Sequence, residues 1–139
     1  ATFYHCVLMV NSDVCRLQHH AEELASAKGW PILSVGRMLA EGILSVSPKQ
    51  RSAEAQRVLR SHLSVAGPGP VVRVDIDLLF EPTLRLDPLR LLREASRETD
   101  LVVAWPGSYS GSVLAYAVPE HSHYRTWRNP EVQVCLLES

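Results

Sequence analysis

The residues best placed to do chemistry are two carboxylates closing an apolar run, Val71-Val72-Arg73-Val74-Asp75-Ile76-Asp77. Side chains alternate along a strand, so Asp75 and Asp77 share one face if the strand continues through them. A second apolar run, Leu101-Val102-Val103-Ala104-Trp105, follows a short amphipathic helix opened by Asp87-Pro88. The two runs therefore read as neighbouring parallel strands with polar carboxyl ends, the edge at which open α/β sheets bind ligands. Paired carboxylates there suit a magnesium ion; the competing reading is that they cap the next turn or helix.

The start of the chain bears on which it is. Tyr4 to Val10 reads as the first strand and runs directly into Asn11-Ser12-Asp13-Val14-Cys15-Arg16. A phosphate-binding loop in this place needs glycines, whose backbone N–H groups turn inward around the anion, and a lysine that reaches the phosphates. The chain has no glycine before Gly29 and no lysine before Lys28. Side chains bearing a Cβ resist the left-handed conformations of an anion nest, and Asp13 sets a negative charge where a phosphate would sit. Asn11, Ser12 and Asp13 are better read as the N-cap cluster of the first helix. The competing reading is a non-standard phosphate site at Asn11, Ser12 and Asp13, with Arg16 as the nearby cation.

With 139 residues, 46% of them hydrophobic, the chain can bury the core of one domain, expected over residues 1–139. A formal net charge of −1 supplies no global field for nucleic acid, so a DNA surface would have to be local. The most basic stretch, Lys49 to Arg60, places Lys49, Arg57 and Arg60 on roughly one helix face: a solvated surface, or one for DNA or an acidic partner. Trp105 and Tyr109, in a loop expected after the fourth strand, are candidates for a partner surface or for the core. His121 and His123, next to Glu120, form a His-x-His pair for which the spacing fixes no further ligand, and no metal site is assigned to them. Cys6, Cys15 and Cys135 form an odd set without paired spacing and read as buried free thiols of a reducing compartment. No apolar run approaches a bilayer's thickness, and the expectation is a cytoplasmic protein that does not contact membrane.

Around these residues the pattern predicts alternating elements. A helix over Val14 to Lys28 ends at Gly29, and a short strand spans Ile32 to Val35. A helix over Arg37 to Val46 follows, then one from Ser47-Pro48 to about Val65, with Ser47 and Gln50 as a capping box. Gly67-Pro68-Gly69-Pro70 is a turn, Leu78-Leu79-Phe80 a turn of helix or a docking loop, and Asp87 caps a helix to about Thr99. Val113 to Val118 and Val132 to Leu137 are expected as edge strands, antiparallel in one arrangement. The whole is α/β, a three-layer sandwich with a mainly parallel sheet.

Four segments carry a family resemblance: Leu78-Leu79-Phe80-Glu81-Pro82-Thr83-Leu84, Leu86-Asp87-Pro88-Leu89-Arg90-Leu91-Leu92, Trp105-Pro106-Gly107, and Tyr116 to Arg125. Over residues 71–127 the chain resembles the BrxF family, small P-loop-containing components of type 3 BREX bacteriophage-exclusion systems. The resemblance implies a P-loop NTPase-like fold in a bacterial defence complex. The expected partners are other BREX proteins: a large ATPase, a DNA methyltransferase, a helicase and a phosphatase-like factor, with DNA reached through the complex. It also implies ATP and magnesium as cofactors, with Asp75 and Asp77 as catalytic carboxylates. The segment Asn11 to Arg16 departs from the family pattern, so the leading expectation is a scaffold subunit without a bound cofactor. An active magnesium-dependent ATPase, a DNA-binding accessory subunit and a homo-oligomer are the alternatives.

Overall fold

The structure, a computed structural model, describes residues 6–44, 46–63, 70–97, 99–117 and 120–136. Strand β1 (Cys6–Asn11) is apolar up to its last residue and leads through Ser12 and Asp13 into helix α1 (Val14–Lys28). The helix stops where expected, at Gly29, whose φ of 68° is left-handed and whose N–H returns to the Ala25 carbonyl. Strand β2 (Ile32–Ser34) is short because the Ser34 hydroxyl accepts the Arg37 N–H and starts helix α2 (Val35–Ile43), two residues earlier than the pattern suggested. Pro48–Gln50 form a 3-10 turn before helix α3 (Arg51–Leu63); the Ser47 side chain makes no cap there.

Strand β3 (Val71–Val74) precedes 3-10 turns at Asp77–Phe80 and Pro82–Leu84. Helix α4 (Pro88–Ala95) is capped by Asp87 through the Arg90 N–H and ends short of Thr99. Strand β4 runs much further than its apolar start, from Leu101 to Ser110. It is followed by β5 (Val113–Tyr116), β6 (Arg125–Arg128) and β7 (Gln133–Leu136). The expected start of the first strand at Tyr4, the helix end at Val65 and most of the Gly/Pro turn lie outside the described residues, as do Val118 and Leu137 of the tail strands.

The central sheet has the order β2-β3-β4-β1-β7, and every pair along it is parallel. β7 is thus parallel to β1, not antiparallel, and the antiparallel pairs are β4–β5 and β5–β6. The chain steps outward from β1 to β2 and returns through β3 to β4. Right-handed crossovers in opposite directions put their helices on opposite faces. α1 accordingly covers one face, with Leu17, Ala21 and Ala25 on Met9, Val72, Val74, Val102 and Ala104. On the other face α2, α3 and α4 bury Leu39, Leu59 and Leu92 against Leu8, Val10, Val71, Leu101 and Val103. The result is an α/β domain of three layers around a mostly parallel sheet.

Beyond Pro106, β4 leaves the parallel sheet for the antiparallel ribbon with β5 and β6. An aromatic cluster joins the two. The Phe80 ring stacks on Tyr116, centroids 3.6 Å apart and planes 3° from parallel, and meets Trp105 edge-on at 5.2 Å. Trp127 packs edge-on against both Phe80 and Trp105. Trp105 is fully buried and its Nε1–H donates to the Ala115 carbonyl at 2.9 Å, so it belongs to the core and not to a partner surface. Tyr109 is half-buried against the same core. Of the three free cysteines only Cys6 is buried, and burial pushes its thiol up to about 12; Cys15 and Cys135 are exposed, contrary to expectation.

Gly107 makes the indole contact possible, because a Cβ there would lie 1.9 Å from the Ala115 oxygen and 3.1 Å from Trp105 Nε1. Gly107→Ala is expected to destabilise the fold by about 1–3 kcal/mol through forced displacement of β5. Urea unfolding followed by tryptophan fluorescence measures it, and an unchanged midpoint would refute the close approach.

Candidate functional site

The reversal of chain direction opens a crevice at the carboxyl ends of the strands, because the connection leaving β1 goes to one face and that leaving β3 to the other. The candidate residues divide between its two sides.

On the β1 side the turn is closed on itself. Asn11 is buried and its Oδ1 accepts the Asp13 N–H at 2.7 Å; the Asp13 Oδ1 then accepts the Arg16 N–H at 3.1 Å. The second is the bond of an N-cap, which the cluster Asn11, Ser12 and Asp13 was expected to supply and which Asp13 makes while Asn11 braces it; a cap of this kind contributes about 1 kcal/mol. Only Ser12 and Asp13 separate strand from helix, which leaves no loop to encircle a phosphate. The helix N-terminus already faces an anion of the chain's own. Arg16 enters this arrangement through its backbone N–H.

On the β3 side the strand ends at Val74, so Asp75 and Asp77 do not share a strand face as their spacing suggested. Asp75 has a φ of 58°, in the left-handed region, which costs an ordinary residue on the order of 1 kcal/mol. Two contacts from the β2–α2 corner hold it: the Gly36 N–H donates to the Asp75 carbonyl at 2.8 Å, and the Ser34 hydroxyl donates to Asp75 Oδ2 at 2.8 Å. A Cβ on Gly36 would lie 2.6 Å from that same oxygen. Asp77 has a different partner: the Tyr116 hydroxyl donates to its Oδ1 at 2.5 Å. Burial first, and then the hydrogen bond to the Asp77 carboxylate, push the Tyr116 phenol above the ordinary tyrosine range. Tyr116 therefore stays protonated and keeps donating.

Two cavities occupy the crevice. One of about 330 Å³ is bordered by Gln18, Ser34, Asp75 and Asp77, and one of about 220 Å³ by Ser12, Asp77, Tyr116 and His121; Val14 and Pro106 border both. Their linings carry carboxylates and hydroxyls and no lysine or arginine. A bare phosphate placed there would meet the like charge of Asp75 and Asp77 with no lysine or arginine in either lining to offset it. Asp75 and Asp77 each already engage a hydroxyl, and no group of three or more metal-ligating side chains stands together among the described residues.

The remaining candidates lie elsewhere. Lys49, in the 3-10 turn, and Arg57 and Arg60 of α3 border one hollow, as their spacing suggested, but Arg57 is bound to Glu54 of the same helix. His123 lies 3.7 Å from Glu81, and its N–H donates to His121 Nδ1 at 2.9 Å. Reading the sequence missed Ser34, Gly36 and Tyr116 as partners of the carboxylates. A serine ahead of a helical run was a local signal for the first; Tyr116 is 39 residues from Asp77 and gave none. No helix among the described residues is long and apolar enough to cross a membrane. Comparison with family models, with curated proteins and with solved structures finds no match.

Replacing Tyr116 by Phe should cost about 1–2 kcal/mol at neutral pH, since a hydroxyl bonded to a carboxylate is lost. The raised phenol also fixes a pH dependence. Above about pH 10 the unfolded chain releases this proton while the folded chain keeps it, so wild-type stability falls as pH rises. Tyr116→Phe should lose that part of the fall, and urea unfolding at pH 8 and pH 11 compares the two.

Proposed function

We propose that the chain is a BrxF-like subunit of a bacterial BREX phage-exclusion assembly, a P-loop-type scaffold whose phosphate loop has been replaced by a capped turn. It works in the cytoplasm, contributes binding surfaces and does not hydrolyse nucleotide. The resemblance over residues 71–127 motivates the assembly. The sheet order supports the fold: β4 separates β1 from β3, so the turn after β1 and the acidic end of β3 face each other across one strand.

The observation that carries the non-catalytic reading is the Asp13 carboxylate seated on the N-terminus of α1, where a phosphate loop would hold its anion. The pairing of Asp77 with Tyr116 supports it further, since that carboxylate has a structural task.

Titration of the purified chain with magnesium and ATP by calorimetry is expected to give no saturable heat up to about 1 mM, a range in which even weak binding of roughly −4 kcal/mol registers. A saturable heat that disappears in Asp77→Ala would overturn the non-catalytic assignment. Co-expression with the large ATPase of a BREX system should retain the chain on that partner, and its loss on washing would remove the assembly role.

A further inference from the structure

A cavity of about 930 Å³, larger than either cavity in the crevice, runs along the free edge of β2. β2 is the outermost strand of the sheet and pairs with β3 alone. One contact sets the phase of its backbone: the Val72 N–H donates to the Pro31 carbonyl. With Ile32 opposite Val72 and Leu33 opposite Arg73, the Leu33 N–H and C=O turn toward β3. The N–H and C=O of Ile32 and the N–H of Ser34 then point out of the sheet, into the cavity.

Helices wall this edge on both sides. α1 contributes Gln18 and Glu22; α2 and α3 contribute Met38, Glu41 and Val58. Leu33 remains 41% exposed over the apolar wall. The walls differ in charge. Arg37 of α2 pairs with Glu41 at 3.7 Å and Arg57 of α3 is bound to Glu54, while Arg73 of β3, the third arginine of the lining, is buried. On the α1 side, among the described residues, Glu22 is paired with no cation and receives the neutral Gln18 amide at 3.0 Å.

We propose that this groove receives an extended segment of a partner protein, which joins the sheet as a further strand beside β2. Backbone donors and acceptors at strand spacing are matched by another strand and by little else. Alternate side chains of the segment then face opposite walls. The set facing Leu33, Met38 and Val58 is apolar; the set facing Glu22 is cationic. α1 lines the groove on one side and α2 and α3 on the other, so a lone extended segment meets less obstruction there than the equally flanked β2 edge of a second copy. The proposal does not rest on the BREX reading, because it needs neither a ligand in the crevice nor the Asp13 cap, although Gln18 and Ser34 border both this groove and the larger crevice cavity.

The test uses the isotope-labelled full chain and a capped heptapeptide alternating Lys and Val. Saturable amide shifts are expected at Ile32, Leu33 and Ser34, with binding weakened about tenfold or more when alternate peptide nitrogens are methylated, a loss of roughly 1.4 kcal/mol. That change deletes the ladder while keeping every side chain and charge. Leu33→Glu should abolish the shifts while the rest of the spectrum stays in place. Equal binding by the methylated peptide, or no shifts at millimolar peptide, overturns the proposal. So does a dimer that forms without peptide and perturbs the same three amides, since it would give the groove to a second copy.

Discussion

An α-helix leaves its first N–H groups without partners inside the helix, and whatever satisfies them decides what the end of β1 can do. In this chain the answer is Asp13, held in place by Asn11, with two residues joining strand to helix. A glycine-rich loop would leave those donors open to a phosphate and would enlarge the turn to surround it. The carboxylate closes the position twice over, by taking a donor and by opposing any second anion. The cavities beside it contain carboxylates and no balancing lysine or arginine, so the crevice as a whole repeats the character of the turn.

The topology still produces a crevice, because outward and returning crossovers place helices on opposite faces whatever the loop does. What the crevice does with its two acidic residues depends on one backbone angle. Asp75 leaves the extended region, and the strand that would have carried both carboxylates in parallel ends one residue earlier. The strain is held by the Ser34–Gly36 corner, and the absence of a side chain on Gly36 is what lets the Asp75 carboxylate come so close. Asp77 is left to Tyr116, whose hydroxyl donates to it.

Tyr116 connects that polar contact to the interior. Its ring lies flat on Phe80, which meets Trp105 and Trp127 edge-on, so the short 3-10 turn after β3 is packed against the antiparallel ribbon. Aromatic pairs of this kind add about 0.5–1.5 kcal/mol beyond the area they bury. The ribbon is thereby part of the same core as the central sheet, and Asp77 sits at its margin.

Local chemistry was enough for much of this. The apolar run of β1, the Asp13 cap, the span of α1 up to Gly29 and the Asp87-Pro88 start of α4 are decided by neighbours within one turn, and all are legible in the amino-acid order. The missing phosphate loop is equally local, since it needs glycines and a lysine that the segment lacks. Partners far apart in the chain were another matter. That β4 continues through Pro106 and Gly107, that β7 lies parallel to β1, and that Trp105 is interior all depend on which strands come to lie side by side. Periodicity reports which face of an element is apolar, not which element covers it. The separation of Asp75 from Asp77 required Ser34 and Tyr116 to arrive from distant positions, 41 and 39 residues away, and only the folded chain brings them there.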